Sequence, residues 1–129
     1  MSDVAVDTSA IVEVMIEGPE AKAVLDTMNA ANLAFVTSVA RVEAAFVMMG
    51  RFGWKRSQFD QAWDKLGVQE SPVDPAAATL AINAFEAWGR RGTAGLNFGD
   101  CFSHALATGR NVPLLFVGDD FARTDVDRA

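Results

Sequence analysis

The sequence has one cysteine and one histidine among its 129 residues. Cys101 cannot form a disulfide within the chain, so nothing indicates folding in an oxidising compartment. With only His104 and Cys101 present, the chain also lacks the clustered histidines and cysteines that favour zinc. These shortages exclude a disulfide scaffold and a zinc finger.

Long apolar runs and an excess of positive charge are missing as well. The apolar runs are short segments such as residues 113–117, whereas a membrane span needs about 20 residues. The first residues lack the basic start and apolar core of a secretory signal peptide, so we expect a cytoplasmic protein. The 17 acidic and 11 basic side chains give a net charge of -6, which argues against binding nucleic acid by bulk charge alone.

The composition predicts a single globular domain. Half of the residues are hydrophobic and 22% are charged, which excludes a disordered chain. The length is that of one domain, and the sequence shows no internal repeat, low-complexity tract or linker. We therefore expect one domain over residues 1–129.

Short apolar runs alternate with amphipathic segments along the chain. The pattern predicts strands at residues 4–6, 33–36, 68–73 and 114–117, the third of them a weak edge strand interrupted by Pro72. It predicts helices from residue 8 to the break at Gly18, and over about 19–30, 39–49, 55–66, 75–91 and 100–109. Strands that alternate with helices predict an α/β sandwich around a mostly parallel sheet.

Four aspartates are placed to meet at one edge of this sheet. Asp7 ends the first strand, Asp100 begins a helix, and Asp119 and Asp120 follow the last strong strand. Ligand sites in such sheets lie beyond the carboxyl ends of the strands. Each acid also has a purely structural explanation, because the first two could cap helices and the last two could be turn residues.

Glu43 has no such ready explanation. Its neighbours one helical turn away are Val39, Phe46 and Val47, which define much of the predicted buried stripe. An unpaired buried carboxylate costs several kcal/mol unless a cation, a metal or a proton relieves it. Since Arg41 faces elsewhere, Glu43 either extends from the edge of the stripe to water or reaches the crevice of the aspartates.

Carboxylates that share one crevice predict a hard metal ion. They repel one another and raise one another's pKa values. Mg²⁺ and Mn²⁺ relieve this repulsion and prefer oxygen ligands. A carboxylate-held Mg²⁺ with open water positions suits metal-assisted hydrolysis of phosphodiester bonds.

Several segments of the chain resemble the PIN-domain ribonucleases, and more narrowly the VapC toxins of bacterial type II toxin–antitoxin pairs. The resemblance covers essentially the full length. It is carried by Val-Asp-Thr-Ser-Ala at 6–10, Glu43 in mid-helix, Leu-Asn-Phe-Gly-Asp-Cys at 96–101, Leu-Leu-Phe-Val-Gly-Asp-Asp-Phe at 114–121, and Thr-Asp-Val at 124–126.

This resemblance implies a PIN-like three-layer sandwich and a Mg²⁺-dependent endoribonuclease, in which Mn²⁺ can substitute. Asp7 and Asp100 match the principal metal ligands of the family, and Glu43 matches its helix glutamate. Together with Asp119, these three form the catalytic set that we predict.

The fourth acid is left open by the resemblance. Many relatives end in Thr-x-Asp-x-Asp-Phe, and Gly118 here replaces the first of those aspartates. Either Asp119 has taken over that role, or Asp120 and Asp125 supply the acidic edge. Relatives commonly carry tyrosine at the position of His104. We expect His104 to be a packing residue of its helix rather than to touch substrate.

The resemblance also implies three partners: an RNA substrate, a cognate antitoxin and a second copy of the chain. The antitoxin of such pairs inserts a basic residue into the acidic crevice, which agrees with the negative charge of this chain. The negative net charge agrees less directly with an RNA substrate, whose binding requires a local patch of basic residues. Its candidate residues are Arg51, Lys55, Arg56, Arg90 and Arg91.

Two other classes of function compete with this interpretation. A receiver or phosphatase that forms an aspartyl-phosphate also binds Mg²⁺ at strand ends. Such a protein needs a lysine near the crevice in the later part of the chain, whereas the last lysine here is Lys65. A catalytically silent α/β binding module would leave Glu43 unexplained. Both stay alternatives to the ribonuclease.

Overall fold

Strands and helices alternate along most of the chain in a computed structural model that describes residues 2–89 and 94–129. The strands are β1 (Val4–Val6), β2 (Ala34–Thr37), β3 (Gln69–Ser71) and β4 (Leu114–Leu115). The helices are α1 (Thr8–Met15), α2 (Ala21–Ala30), α3 (Ser38–Gly50), α4 (Arg56–Leu66), α5 (Pro75–Trp88) and α6 (Phe98–Arg110).

The strands form one sheet in the order β3-β2-β1-β4. The pairs β1–β2, β1–β4 and β2–β3 are all parallel, with Val4 opposite Ala34 and Val6 opposite Leu115. The chain winds outward from β1 to β3 and then returns to the other side of β1 for β4. This reversal opens a crevice at the carboxyl ends of β1 and β4, where ligands of parallel sheets bind.

Helices cover both faces of the sheet, because alternate strand residues point to opposite sides. Val4 and Val6 pack into one core with buried residues of α1, α2, α3 and α4. Ala5, between them, packs into a second core with buried residues of α5 and α6. The predicted α/β sandwich with a parallel central sheet is confirmed.

Polar side chains fix where the helices begin. Asp7 starts α1 by accepting from the backbone N–H of Ser9, and Thr37 starts α3 by accepting from that of Ala40. Because these two caps directly follow β1 and β2, both helices begin at the carboxyl edge of the sheet. The fold therefore brings the N-terminal turns of α1 and α3 to the crevice.

The structure corrects several predicted boundaries. Helix α6 begins at Phe98 rather than at residue 100, because Asn97 is its cap. Helix α5 ends at Trp88 rather than near residue 91. Strand β4 is shorter than predicted, because the backbone N–H of Val117 leaves the sheet to donate to the Ser9 hydroxyl.

The edge position predicted for the third strand is correct, since β3 is the outermost strand beside β2. In the part of the chain that the structure describes, no helix is long and apolar enough to cross a membrane.

Candidate active site

Asp7 lies buried at the carboxyl end of β1, with 4% of its surface exposed. Its Oδ2 accepts from Ser9 N at 3.0 Å, which is the capping role expected for a residue in this place. Its Oδ1 is buried and has no hydrogen-bond partner among residues 2–89 and 94–129. Buried polar atoms are normally hydrogen-bonded, so capping accounts for Oδ2 and leaves Oδ1 unexplained.

Asp100 faces Asp7 from the first turn of α6. The helix begins with a reciprocal pair of bonds, in which Asp100 N donates to Asn97 Oδ1 at 2.9 Å and Asn97 N donates to Asp100 Oδ2 at 3.1 Å. Asp100 is therefore not the cap that the sequence suggested but the third residue of the helix. This bonding fixes the carboxylate at the crevice.

The pKa of Asp100 is raised from 3.8 to about 7. Burial is the largest cause, and the charges of Asp7, Asp120 and Glu43 add to it, while the bond from Asn97 opposes it. The charges of four acids, each from a different part of the sequence, therefore act at one site. Of the predicted catalytic set, the structure brings Asp7 and Glu43 close to Asp100, whereas Asp119 is not among the charges that raise its pKa.

Glu43 reaches the same site from α3. The Thr8 hydroxyl donates to its Oε1 at 2.7 Å. Gly99 touches the other side of the carboxylate, where a β-carbon would collide with it. Burial raises the pKa of Glu43, the charge of Asp7 adds to this rise, and the Thr8 bond opposes it.

The surroundings of Glu43 differ from the predicted ones in one respect. The buried residues of α3 are Ala40, Ala44 and Met48, whereas Phe46 is 73% exposed. Glu43 thus lies at the boundary of the buried stripe and is directed toward α1 and α6. Of the two alternatives left open by the sequence, the structure favours the shared crevice.

The three remaining acids of the sequence analysis lie after β4. Asp120 is exposed, and its charge is one of those that raise the pKa of Asp100. Asp119 is also exposed, and its backbone carbonyl accepts from Ala122 N at 3.1 Å. Asp125 Oδ1 lies 2.6 Å from Nε2 of the buried His104. The structure therefore brings Asp120 to the site, and a catalytic role for Asp119 stays a prediction.

Four residues that the sequence analysis did not single out build this site. The Thr8 hydroxyl donates to Glu43, the backbone N–H of Ser9 donates to Asp7, the backbone N–H of Asn97 donates to Asp100, and Gly99 makes room for Glu43. All four belong to the segments 6–10 and 96–101 that carry the family resemblance. The signal was present, but only the fold shows which acid each residue serves.

The donor set suits a hard divalent cation. Within the described residues, no three His, Cys, Asp or Glu side chains lie close enough together to hold one metal ion. Mg²⁺ does not need three, because it keeps several waters and is often bound by one or two carboxylates. The unpartnered Oδ1 of Asp7 and the buried carboxylate of Asp100 meet that requirement.

The proposed basic patch receives little support from the described residues. The guanidinium of Arg56 is bound to Asp60 at 3.0 Å, and that of Arg51 lies over the ring of Phe52. Arg90 and Arg91 lie outside the residues that the structure describes. The patch stays a prediction.

Comparison with known proteins agrees with this geometry. The family described as PIN domain matches residues 4–127. Ribonuclease VapC30 of Mycobacterium tuberculosis is 34% identical over 123 residues, which cover 94% of each chain. The crystal structure of VapC20 from Mycobacterium tuberculosis, a sarcin–ricin loop cleaving toxin, superposes with a TM-score of 0.76 over 98% of both chains at 14% identity. A toxin–antitoxin complex from Klebsiella pneumoniae superposes with a TM-score of 0.72 over 95% of this chain and 92% of that chain, at 15% identity.

The raised pKa of Asp100 means that ionisation of this carboxyl destabilises the metal-free fold as the pH rises from acidic to neutral. In the unfolded chain this carboxyl ionises near its ordinary pKa of 3.8, whereas the folded protein keeps the proton until about pH 7. Across that window the unfolded state binds fewer protons, so the free energy of unfolding falls as pH rises. Glu43, whose pKa is also raised, acts in the same direction.

Asp100→Asn removes the ionisation and keeps an oxygen that can accept from Asn97. As the pH rises from about 4 to about 7.5, the free energy of unfolding of this variant should increase by roughly 3 kcal/mol relative to that of the wild type. Urea unfolding in EDTA measures this difference. Asp64→Asn, which removes an exposed acid of α4, is the control and should follow the wild type. The same pH slope in Asp100→Asn and wild type would contradict the pKa assigned to Asp100.

Proposed function

The chain belongs to the PIN domain family, and we propose that it is a VapC-type toxin that cuts RNA by Mg²⁺-dependent hydrolysis of phosphodiester bonds. The observation that carries the proposal is that Asp7, Glu43 and Asp120 all lie close enough to the buried Asp100 for their charges to raise its pKa. Relatives of similar length named as ribonucleases support the same activity. Its RNA substrate would be met in the cytoplasm.

Asp7 and Asp100 are the residues that would hold Mg²⁺ or Mn²⁺. The bound ion supplies an activated water and screens the charge that develops on the phosphate. Asp7 can use Oδ1 for this purpose, because Oδ2 is occupied by the cap of α1. The bonds between Asp100 and Asn97 hold the second carboxylate to the rigid start of α6.

Glu43 is suited to accept the proton of the attacking water. Burial raises its pKa toward the working range of a general base. Thr8 occupies Oε1, and the absence of a side chain at Gly99 gives the carboxylate room between α3 and α6. Both neighbours fix its orientation without neutralising its charge.

The two alternative functions are now less well supported. A receiver-like site needs a lysine at the crevice, and Lys65, the last lysine of the chain, lies on α4. A silent binding module gives no reason for the convergence of four carboxylates. The ribonuclease accounts for both observations.

An antitoxin is the protein partner that we propose for the crevice. Similar folds occur in toxin–antitoxin complexes, and this chain carries a net charge of -6. An arginine or lysine of the antitoxin near Asp7 and Asp100 would form charge-assisted hydrogen bonds with the carboxylates. Because it relieves the same repulsion as the metal, antitoxin and metal should compete.

A second copy of the chain is the partner that we propose for an apolar face beside the site. Val42 and Phe46 of α3 line one cavity with Phe98, and Phe98 lines the next with Ile82 and Phe85 of α5. Phe46, Phe98 and Ile82 are each at least 68% exposed. Among the described residues, those that line the cavity between α5 and α6 include no acidic side chain, so contact between two copies there would bury no carboxylate of this cavity. An apolar face of this kind marks an interaction site.

Metal binding tests the ligand assignment without relying on activity. Millimolar Mn²⁺, on the order of the affinity of sites with few carboxylates, should raise the melting temperature of the free protein. It should raise that of Asp7→Asn and of the antitoxin complex much less. An equal response of all three would show that the ion binds elsewhere.

Cleavage rates test the roles of the acids. Asp7→Asn and Asp100→Asn should each cleave RNA at least roughly 100-fold more slowly, because a direct metal ligand is lost. This loss of rate corresponds to an activation barrier that is higher by about 3 kcal/mol. Glu43→Gln should lose cleavage without losing stability in EDTA, whereas Glu86→Gln, an exposed acid of α5, should leave both unchanged.

The same assay distinguishes the two acids after β4. Asp120→Asn should cleave RNA roughly 10- to 100-fold more slowly, as expected for a group that influences the metal ligands without binding the metal itself. Because Asp120 rather than Asp119 acts on Asp100, we now expect Asp119→Asn to be nearly silent, contrary to the catalytic role predicted for Asp119 from the sequence. Wild-type rates in Asp7→Asn or Asp100→Asn would refute the mechanism, whereas a silent Asp120→Asn would return the fourth role to Asp119.

The proposed dimer is tested by sedimentation of the free toxin. We expect the wild type to sediment as a dimer and Phe46→Glu as a monomer, because a charge would be buried on the shared face. Phe52→Glu, at an exposed phenylalanine just beyond α3, should remain dimeric. A monomeric wild type would contradict self-association, and loss of antitoxin binding in Phe46→Glu would assign the face to the antitoxin.

A further inference from the structure

Asp120 is an exposed side chain in an irregular segment, yet its charge acts on the buried Asp100. Residues 118–126 form an arc between two anchors that involve the backbone. At one end Val117 N donates to Ser9 Oγ at 3.0 Å, and at the other Leu114 N donates to the carbonyl of Asp127 at 2.8 Å. An arc of this kind is mobile unless contacts along its length hold it in place.

One contact inside the arc is apolar. Phe121, directly after Asp120, is buried and packs on the ring of Phe116 with centroids 5.1 Å apart. This packing holds the arc to the core of α5 and α6. It does not set how the arc is turned about the buried ring, so a directional contact is needed as well.

His104 makes a directional contact with the arc. Its Nε2 lies 2.6 Å from Oδ1 of Asp125, and its side chain is 7% exposed while that of Asp125 is 60% exposed. An ionised carboxylate only accepts, so Nε2 carries the proton that is shared. His104 is one turn beyond Asp100 on α6, so the bond ties the arc to the helix that carries the metal-binding acid.

The other ring nitrogen gives His104 no second role in the described part of the chain. Nδ1 is buried and has no hydrogen-bond partner there. A buried polar atom without a partner costs free energy, and an apolar side chain would fill the same space without that cost. The bond to Asp125 is thus the contribution of His104 that packing alone does not provide.

We propose that His104 is a positioning residue for the reaction, which holds Asp120 beside Asp100 through its bond to Asp125. The inference rests on the proposed function, in which Asp120 is the fourth acid. His104 and Asp125 themselves need not touch substrate or metal. Asp125, one of the candidate acids from the sequence, thereby acts through the arc rather than at the metal.

The test uses Asp125→Ala, because Asp125 is exposed and its loss leaves no cavity in the core. Its matched control is Asp127→Ala, which removes the same charge at the backbone anchor just beyond the arc. Amide hydrogen exchange at Ala122 and Thr124, whose N–H groups bond within the arc, should become faster in Asp125→Ala only. Unchanged exchange would overturn the proposal.

A double-mutant cycle then shows whether the arc acts through Asp120. Asp125→Ala should lower kcat roughly tenfold, within the loss expected for Asp120→Asn itself, and leave KM unchanged. In the Asp120→Asn background it should have no further effect, because the residue that it positions is already lost. Independent, multiplying losses would show that His104 and Asp125 do not work through Asp120.

Substitution of the histidine completes the test. His104→Gln keeps an N–H donor and should retain more activity than His104→Ala at equal stability. Equal losses in the two variants would assign His104 to packing. Failure of the proposed function is distinct from either result, because it would appear as active Asp7→Asn and Asp100→Asn proteins.

Discussion

The burial of Asp100 beside other negative charges is the constraint on which the site depends. Burial and the charges of Asp7, Asp120 and Glu43 together raise its pKa to about 7. The fold opposes this repulsion only in part, by the donors that Asn97, Ser9 and Thr8 direct at the carboxylates. A cation would relieve the rest, and in the proposed function this cation is a metal ion or a basic side chain of the antitoxin. On this proposal, metal binding and inhibition by the antitoxin both depend on the repulsion between the same carboxylates.

The sheet order explains why these acids meet. Because β1 lies between β2 and β4, the residues that follow β1 and β4 are brought to the same crevice. Helix α3 follows β2 directly and supplies Glu43, and α6 crosses the opposite face and supplies Asp100. Asp7 directly follows β1 and Asp100 lies in the first turn of α6, where the backbone is already fixed, whereas Glu43 extends to them from the middle of α3 and Asp120 from the segment after β4.

Much of this arrangement could be predicted from the sequence, because the strand and helix periods are clear and each motif lies at an element boundary. The class of fold, the edge strand and the approach of Asp7 and Asp100 follow from local patterns. For Glu43 the helix pattern left two alternatives open, and the family resemblance assigned it to the site. The exposure of Phe46 could not be predicted, since an apolar stripe on a helix does not show which part of that stripe the rest of the fold covers. The choice between Asp119 and Asp120 depends on how an irregular segment turns after Gly118, which has a positive φ of 92°. Periodicity carries no information about such a turn.

The most direct measurement is the position of a bound ion in crystals of the free toxin soaked in Mn²⁺. Anomalous scattering from manganese locates the ion without any assumption about activity. The account predicts a peak in contact with Oδ1 of Asp7 and the carboxylate of Asp100, in the crevice that Glu43 and Asp120 border. A peak bound by other residues, or an ordered crevice without any peak, would contradict it.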